Sequence, residues 1–568
     1  MAGLFGTLSS VLNVLSGGLL DLAIAGYKRP STQVSKFFSD EKEGGEKLPV
    51  LKYFSIKPLD NKHYLCSKPH DDAQGNGLVL QFCGEEIVSP YTKFEAEMSE
   101  QHPGLVHIRC CYNNKYWVRQ SPEQYQILAA ASEPEENTSK PLCTLFKFEA
   151  VDCDGSSGVR FTHVQLGLNV RWRRADQSPF EHCLYADSEG IDHFSVYKIF
   201  EWGTIFVMPR YVAFLGDNGR YLSSCLIDGR NHLKFESAEK DDPTVWHETS
   251  YTPDGCLRLK SVYFDKFWRR RRSKILVDSE DSAGKDAHTI FRSINVDSSI
   301  LLISSSNFGL SRRGKDNYLR NSTPPITNTE AFKEAVIKVK ELVVSRQIFN
   351  VNFCLKDARI YHKKLLLLLR REFVNETNEA YIEELNLPRE DVFHQSSAWN
   401  SVVTWKSLDV KASIQTGIPH IKETVKTLKS SGPETTRGEI HTSQNKDDDQ
   451  PEIEILGDFS GEYKWGDTIS PPPIVSETVY RVTVPGMSRV LVEVHAREAS
   501  YDIPFSYNQC DTFTGGAQIT YHMEDGLYTG SDRYDVQFQV SKHPVVQPDE
   551  IEVASDSHSN NIGLNMSF

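Results

Sequence analysis

An internal repeat constrains this chain most, because three short motifs occur twice and in the same order. The first set is DNKHYL at Asp60–Leu65, NNKYW at Asn113–Trp117 and FKFEAVD at Phe146–Asp152. The second set is DNGRYL at Asp217–Leu222, FDKFW at Phe264–Trp268 and FRSINVD at Phe291–Asp297. A repeat of about 150 residues predicts two homologous domains in tandem.

Each half of this repeat is itself threefold, with an aromatic or aliphatic motif about every 50 residues. The motifs begin at Tyr64, Tyr116 and Leu168 in the first half, and at Tyr221, Phe267 and Phe308 in the second. The segments around them are short, alternate in polarity and are bounded by Gly, Asn and Asp, which is typical of strands and turns. Three such units predict a β-trefoil, whose closure removes exposed sheet edges. The motif residues are expected in the core, so the repeat indicates a fold and not a ligand.

Charge and cysteine content exclude several classes of protein. The 568 residues include 63 Lys and Arg against 77 Asp and Glu, a net charge of −14, which argues against nucleic acid as a partner. Aromatic residues reach 11%, which favours β-structure. The 11 cysteines form no C-x-x-C pair or zinc-spaced cluster, so we expect reduced thiols, no metal and no cofactor.

The first 27 residues are apolar, and the first basic residue is Lys28, so they lack the charged start of a secretory signal. Leucines at helical spacing predict an N-terminal apolar helix and linker over residues 1–47. We expect this helix to pack on the protein body or on a partner. A helix that lies on a membrane surface stays open as the alternative. We expect a cytoplasmic or nucleocytoplasmic protein.

Residues beyond 340 have a different pattern, with long alternating segments rich in Ser and Thr. Strands are predicted over Val402–Ile414, Glu452–Trp465, Tyr480–Val484, Val490–Ala496 and Tyr534–Val540. The polar stretch Ser430–Gln450 is predicted as a solvated insert, and residues 548–568 as a flexible acidic tail. The apolar run Leu365–Leu369 is too short to span a bilayer and is expected in a core.

The repeated half resembles plant agglutinins of the amaranthin family. The resemblance is carried by GLVHI at Gly104–Ile108, CTLFK at Cys143–Lys147 and HVQLG at His163–Gly167. In the second half it is carried by KFWR at Lys266–Arg269 and ILVD at Ile275–Asp278. It implies two agglutinin β-trefoils, over 48–200 and 201–342, that bind glycans.

Residues 343–547 resemble the pore-forming module of the aerolysin family. The motifs are GEYKWGDT at Gly461–Thr468, VTVPGM at Val482–Met487, DIPFSY at Asp502–Tyr507 and EDGLYTG at Glu524–Gly530. The predicted fold is therefore mainly β: two tandem β-trefoils followed by an elongated antiparallel β-sheet module. The resemblance implies that this module forms homo-oligomers and β-barrel pores, with membranes as a partner.

The agglutinin resemblance places a carbohydrate site on the loop that reads SPEQYQI, where the family reads SPNHYWI. The candidate residues are Ser121, Glu123, Tyr125 and Gln126. Tyr125 is shared and offers a ring face to a sugar, whereas Gln126 stands where the family has Trp. The family's preference for a disaccharide of galactose and N-acetylgalactosamine is implied only in part, and a purely structural loop stays open.

The aerolysin resemblance predicts a membrane-inserting hairpin. Its outgoing strand has apolar residues on alternate positions at Leu408, Val410, Ala412 and Ile414. Its apolar turn is predicted at Gly417, Ile418, Pro419 and Ile421, and its return strand carries Val425. An ordinary half-exposed hairpin stays open as the alternative.

No catalytic motif is present. The chain has no G-x-S-x-G, no phosphate-binding glycine loop and no carboxylate pair spaced for glycoside hydrolysis, so we expect a non-enzyme. The predicted function is a carbohydrate-binding lectin with a pore-forming module, active in plant defence or stress by resemblance. Two alternatives stay open: an intracellular glycan-binding protein whose module only oligomerises, and a pore former with decayed sugar sites.

Overall fold

The computed structural model is built almost entirely from antiparallel β-strands, which confirms the predicted mainly-β fold. Short 3-10 turns lie at Pro90–Thr92, Pro243–Val245, Ala287–Thr289 and Leu355–Asp357. The structure describes residues 52–60, 62–67, 79–153, 155–173, 181–202, 205, 207–296, 299–306, 308–312, 316–321, 333–388, 395–401, 411–422, 452–464, 477–514 and 516–545.

The first trefoil contains twelve described strands. They are β1 Tyr53–Pro58, β2 Tyr64–Ser67, β3 Leu80–Gly84, β4 Phe94–Met98, β5 Val106–Cys110, β6 Tyr116–Ser121, β7 Gln124–Ala131, β8 Leu145–Cys153, β9 Ser156–His163, β10 Leu168–Trp172, β11 Leu184–Ser188 and β12 Tyr197–Glu201. Three hairpins, β2–β3, β6–β7 and β10–β11, begin at the three repeated motifs, so the predicted threefold pattern is confirmed.

The second trefoil repeats this order over twelve described strands. They are β13 Tyr211–Leu215, β14 Tyr221–Ile227, β15 Arg230–Ser237, β16 His247–Tyr251, β17 Leu257–Ser261, β18 Lys266–Arg271, β19 Lys274–Ser279, β20 Phe291–Val296, β21 Ser299–Ser304, β22 Leu310–Arg312, β23 Leu319–Asn321 and β24 Val336–Glu341. Its hairpins are β14–β15, β18–β19 and β22–β23.

The repeated aromatic motifs fill the two cores, as predicted. Trp117 is fully buried in the first core, and Trp268 occupies the corresponding place in the second. Phe94 makes an edge contact with Trp117, while His247, its counterpart in the strand register, makes an edge contact with Trp268. Burial of these large rings removes extensive apolar surface from water, which is the main stabilising contribution to each domain.

Each trefoil also contains one fully buried histidine whose hydrogen bonds fit the neutral ring. His163 Nε2 lies 3.2 Å from the Cys143 carbonyl oxygen, and the Leu166 N–H points to its Nδ1 at 3.4 Å. His247 Nε2 lies 3.2 Å from the Leu222 carbonyl oxygen, and the Trp268 indole N–H donates to its Nδ1 at 3.3 Å. Burial lowers the pKa of both histidines to about 4.

The two trefoils meet at a tight backbone contact. The Ile87 N–H donates to the Pro253 carbonyl oxygen at 3.0 Å. Gly255 beside it has a φ of +82°, and a Cβ at this position would lie 2.9 Å from the Ile87 side chain. Glycine is therefore required at position 255 both by conformation and by space.

The third region, the β module, follows the second trefoil with only Leu342 between β24 and the next strand. Its strands are β25 Val343–Phe353, β26 Arg359–Asn375, β27 Tyr381–Pro388, β28 Gln395–Ser401, β29 Lys411–Lys422, β30 Glu452–Lys464, β31 Glu477–Val484, β32 Ser488–Phe513 and β33 Gln518–Pro544. Seven of them form one antiparallel sheet, and β27 and β31 pair separately. With strands of 26 and 27 residues, the sheet is elongated, as predicted.

The turn predicted at Gly417, Ile418, Pro419 and Ile421 is wrong, because these residues lie within the continuous strand β29. β29 pairs with β30 from Lys411–Lys464 to Lys422–Glu452, with bulges around Thr416. A bulge accommodates an extra residue within a strand without ending its pairing, so Gly and Pro here do not make a turn. The described partner of β29 is β30, and the predicted return strand beyond Lys422 lies outside the described residues.

The core prediction for Leu365–Leu369 is wrong in part. These residues lie in β26, where Leu365 is 71% exposed and Leu367 53% exposed, whereas Leu368 and Leu369 pack on a buried cluster. Side chains in a strand point alternately to its two faces, which leaves Leu365 and Leu367 on the exposed face. A bulge between Leu367 and Leu369 interrupts the alternation, so the neighbours Leu368 and Leu369 both reach the covered side.

Several predictions lie outside the described residues. These are the apolar helix and linker over 1–47, the hairpin positions Leu408, Val410 and Val425, the insert Ser430–Gln450 and the tail 548–568. The 11 cysteines lie inside the described part and form no disulfide, in agreement with the predicted reduced thiols. Within the described residues, no helix has the length and apolar character needed to cross a membrane.

Candidate functional site

The predicted carbohydrate loop is the turn of the β6–β7 hairpin in the first trefoil. The buried Arg119 supports this loop from the inside of the domain. Its guanidinium donates to the Gln124 and Pro122 carbonyl oxygens and, at 2.9 Å, to Gln165 Oε1. A buried arginine satisfied by several acceptors is a rigid support, because losing one partner would leave a buried charge underpaired.

Tyr125 extends from this support into solvent. Its side chain is 44% exposed, and the Arg119 guanidinium carbon lies 5.8 Å from the centre of its ring. Next to it, Ser121 Oγ donates to Glu123 Oε2 at 3.1 Å. An exposed ring face beside a hydroxyl and a carboxylate provides both contacts that a sugar needs: stacking for its C–H face and acceptors for its hydroxyls.

Gln126 is separated from the other three predicted residues. It is 6% exposed, and strand alternation directs it to the face opposite Tyr125. In the described part of the chain, its Nε2 has no hydrogen-bond partner. The structure therefore brings Ser121, Glu123 and Tyr125 together on one exposed surface and places Gln126 elsewhere.

Gln126 lies where the three hairpins of the first trefoil meet, a place we call the first hairpin junction. Three backbone pairings define it: Val79 with Leu128, Gln81 with Cys183, and Gln126 with Tyr185. The Gln81 amide donates to the Glu181 carbonyl oxygen at 2.8 Å. The aromatic residue of this junction is Tyr185. The Arg173 guanidinium carbon lies 4.2 Å from the centre of the Tyr185 ring, and Arg173 also pairs with Asp187. The paired side chains of the junction are therefore uncharged, and the cation beside them, Arg173, is paired with Asp187.

A buried ion-pair network joins the first trefoil to the β module, and we call it the clasp. Its five charged members are Glu95, Glu97, Arg109, Arg359 and Asp502. Arg109 pairs with Glu95 and lies 3.1 Å from Glu97. Arg359 of β26 bridges Glu97, at 2.8 Å, and Asp502 of β32, at 3.1 Å. Two domains are therefore linked through charges that are mostly withdrawn from water.

The electrostatics of the clasp favour its charged form. Burial alone would raise the pKa of Glu97, but the guanidinium groups of Arg359 and Arg109 outweigh it and hold the pKa at about 2. The Tyr116 hydroxyl also donates to Glu97 at 2.6 Å. Glu97 therefore stays ionised at neutral pH, which favours its ion pairs with Arg109 and Arg359.

A cleft of about 770 Å³ lies where the two trefoils and the β module meet. Its lining includes Tyr91, Tyr211, Tyr507, Tyr521 and Asp525. Tyr91 donates to Glu524 of β33 across this cleft, and the Tyr211 ring contacts Phe513 at 5.3 Å. These contacts make the cleft a second place where the trefoils adhere to the module.

The strand that carries the predicted inserting residues pairs regularly with its neighbour. Ala412 lies opposite Tyr463 and Ile414 opposite Gly461, and both share one face of β29. Beyond the bulges, Ile418 lies opposite Leu456, Pro419 opposite Ile455 and Ile421 opposite Ile453. The connection between the two strands is the stretch 423–451, which lies outside the described residues.

Sequence reasoning missed the residues that hold these sites, namely Arg119, Tyr185 and the members of the clasp. A signal existed for Arg109, which interrupts the apolar strand Val106–Cys110 with a charge. A charge in a strand buried on every residue needs a partner, which the nearby Glu95 and Glu97 supply. The sequence does not show that Arg359, 250 residues further along the chain, joins the same network. Among the described residues, no group of three His, Cys, Asp or Glu side chains could hold a metal ion.

Comparison with known families identifies the repeated domains. Residues 47–201 and 206–307 match the model of the Agglutinin domain, so both trefoils are agglutinin domains. The predicted resemblance of the repeated half to agglutinins is confirmed over these residues. Among curated proteins, no sequence matches the chain.

Solved structures give weaker similarities. A mosquitocidal holotoxin has 10% identity and a TM-score of 0.24, with 54% of this chain and 38% of the toxin covered. Cry35Ab1 has 9% identity and a TM-score of 0.20, with 59% and 89% covered. ThreeFoil, a designed threefold symmetric protein, has 13% identity and a TM-score of 0.20, with 24% and 100% covered. At these scores the similarities support no conclusion about the function of this chain.

Proposed function

We propose that this chain is a carbohydrate-binding lectin whose C-terminal β module oligomerises and forms β-barrel pores in glycan-bearing membranes. The observation that carries the lectin half is Tyr125, an exposed aromatic ring in an agglutinin domain, supported from below by the buried Arg119. Preorganised rings of this kind bind sugars without a large ordering cost. A glycan that contains galactose or N-acetylgalactosamine is the proposed ligand.

The pore half rests on the geometry of the β module together with its resemblance to the aerolysin family. β29 and β30 are antiparallel over 12 and 13 residues, which exceeds the 9–11 residues or so that a tilted strand needs to cross a bilayer. Ala412 and Ile414 share one face, and Lys411 and Ser413 the other. In a barrel built from several copies, the first pair would face lipid and the second pair the lumen.

The biological part of the proposal follows from both halves. A protein that binds weakly to many surface glycans gains strength when several copies assemble, because each further contact becomes intramolecular. We propose a cytoplasmic or nucleocytoplasmic protein that associates with membranes when it oligomerises, in plant defence or stress response. No catalytic reaction is part of this function.

The lectin half is tested with the Tyr125→Ala variant on a glycan array and by titration with N-acetylgalactosamine. Loss of the stacking face is expected to weaken binding by about 1–3 kcal/mol, or roughly tenfold to hundredfold. Tyr263→Ala is the matched control, since Tyr263 is an exposed tyrosine of the second trefoil. Equal binding by wild type and a folded Tyr125→Ala variant contradicts the site.

The pore half is tested by dye release from vesicles that carry glycolipids. An arginine on the lipid face costs roughly 2–4 kcal/mol per subunit at the bilayer midplane, so Ala412→Arg should abolish leakage. Lys411→Glu, on the opposite face, should leave leakage intact and shift ion selectivity toward cations. Leakage by Ala412→Arg at the wild-type level contradicts this strand. If the wild type forms oligomers but causes no leakage, the pore proposal is contradicted in favour of a lectin whose module only oligomerises.

A further inference from the structure

The hairpins of the second trefoil meet in the same register as those of the first. His232 pairs with Leu276, Lys234 with Tyr318, and Lys274 with Arg320. These three pairings correspond one by one to those of the first hairpin junction, and in both domains the paired positions are two residues apart along each hairpin. We call this place the second hairpin junction. The backbone geometry of the two junctions is therefore shared, so their side chains can be compared position by position.

The two junctions differ in charge at three of four matched positions. The first junction has Gln81, Gln126, Cys183 and Tyr185, and the second has Lys234, Lys274, Tyr318 and Arg320. Three neutral side chains of the first junction are thus replaced by cations in the second. Because the backbone has not changed, the difference concerns what the surface can bind and not how the domain folds.

The three cations surround a single aromatic ring. The ammonium nitrogens of Lys274 and Lys234 lie 5.5 and 5.9 Å from the centre of the Tyr318 ring, and the Arg320 guanidinium carbon lies 5.7 Å from it. His232, 6% exposed, makes an edge contact with the same ring at 5.2 Å. All three cations are within the range of cation–π attraction, which holds them near the ring despite their mutual repulsion.

Carboxylates compensate only part of this charge. Glu236 pairs with Lys234 at 2.8 Å, and Asp316 pairs with Arg320, but in the described part of the chain no carboxylate pairs with Lys274. The pKa of His232 reflects this excess of positive charge. Burial lowers the pKa most, the cations Lys274 and Arg230 lower it further, and the Asp228 carboxylate raises it. The histidine is thereby kept neutral, and one ammonium group beside an aromatic ring is left without a counter-charge.

We propose that the second hairpin junction binds an acidic saccharide, with a sulfate or carboxylate group at Lys274 and the sugar ring against Tyr318. The cations offer charge-assisted hydrogen bonds, and the tyrosine face offers stacking to the C–H face of a sugar. Nucleic acid is a poorer fit, since three cations on a chain of net charge −14 do not make a phosphate-binding surface. The site is separate from the one around Tyr125 and does not depend on it.

The experiment uses the full chain and four probes. A sulfated heparin tetrasaccharide is compared with its desulfated, N-acetylated counterpart, a galacturonate oligosaccharide supplies carboxylates alone, and vesicles of phosphatidylserine supply a lipid headgroup. Lys274→Gln introduces the amide that the first trefoil has at the matched position, Gln126. It is expected to lower affinity for the acidic saccharide about tenfold, the scale of one charge-assisted hydrogen bond.

Lys274→Arg keeps the charge and should retain binding, and Lys285→Gln removes an exposed lysine elsewhere in the same trefoil and should change nothing. Preference for the heparin or the galacturonate probe, lost in Lys274→Gln alone, supports the proposal and identifies the acidic group. Equal affinity of wild type and Lys274→Gln overturns it, and so does loss of vesicle binding without saccharide binding. Binding of neutral glycans, measured in parallel, reports on the Tyr125 site and keeps the two proposals distinguishable.

Discussion

The two agglutinin domains share a strand register, but charged residues at matched positions form different ion pairs. In the first trefoil, Glu95 and Arg109 are paired and buried, and both belong to the clasp. In the second, the matched residues Glu248 and Lys260 turn to different partners, Arg210 and Asp265. Tyr116, whose hydroxyl completes the clasp, is matched by Phe267, which has none.

At the hairpin junctions, the distribution of charged side chains between the two domains is reversed. Three cations lie around Tyr318 at the second junction, whereas the paired positions of the first junction are uncharged and Arg173, which covers Tyr185, is paired with Asp187. Each domain has therefore placed its charged residues on a different surface: the first against the β module, the second at the hairpins. Two domains with the same strand register can therefore differ in where their charged residues form a buried network, because the clasp positions of the first trefoil carry separate ion pairs in the second.

The largest effect is expected for the Arg109→Met variant, matched by Lys260→Met in the second trefoil. Removing Arg109 leaves Glu95 and Glu97 buried without one of their counter-charges, and breaking a buried pair in this way typically costs about 3–5 kcal/mol. Lys260→Met breaks a pair with an Asp265 side chain that is 84% exposed, which is worth about 1 kcal/mol or less. Calorimetric unfolding of the two variants measures the difference.

Similar losses of unfolding free energy in the two variants would contradict the distinction between the clasp of the first trefoil and the matched surface of the second. Their glycan binding should be unchanged, because neither residue lies at Tyr125 or at the second hairpin junction.

A smaller effect concerns acid stability. The folded pKa of His163 and of His247 is about 4, against the usual 6.5, so the unfolded chain binds more protons between these values. Stability is therefore complete above about pH 6.5 and is lost as pH falls toward 4, by up to about 3 kcal/mol for each histidine. His247→Phe introduces the residue that the first trefoil has at the matched position, Phe94, and should remove the second trefoil's share.

The measurement is the unfolding temperature of each trefoil between pH 4 and 7. In the variant, the acid-dependent decrease should persist for the first trefoil, which retains His163, and largely disappear for the second. An unaltered pH dependence of the second trefoil would contradict the assignment. The neutral-pH cost of losing the Trp268 hydrogen bond is seen separately, as a shift of the whole curve.

The smallest effect is expected for Glu236→Gln at the second hairpin junction. Glu236 competes with an acidic ligand for Lys234, and its side chain is 41% exposed. Surface pairs of this kind are worth less than about 1 kcal/mol, so affinity for the sulfated tetrasaccharide should rise about two- to fivefold. Titration at low and moderate salt measures the gain, and a loss of affinity would show that Glu236 contacts the ligand.

Much of the fold follows from the sequence because local patterns repeat. Trp117 and Trp268 stand at the same place in duplicated motifs, and both are buried, so the repeat predicted the two cores. The agglutinin assignment followed from motifs in a fixed order. These features are carried by residues close together in the chain.

The sites follow less well because they depend on distant pairings. The clasp joins Glu97 to Arg359, and no local signal connects them. Gln126 adjoins Tyr125 in sequence, yet strand alternation sends its side chain to the other face. The turn predicted at Gly417–Ile421 was wrong because the chain continues as a strand past the bulges around Thr416, which only the pairing with β30 reveals.

The length of β32 has a mechanical consequence. Its 26 residues would span about 85 Å if regularly extended, at 3.3 Å or so per residue. Toward its C-terminal end, the Asp502 carbonyl oxygen accepts from the Asn114 amide of the first trefoil at 3.3 Å, and Phe513 contacts Tyr211 of the second, so both trefoils hold the same half of one strand. The Ser488 end lies far from both contacts. A small rotation of the trefoils about these contacts would therefore move the Ser488 end through a much larger distance.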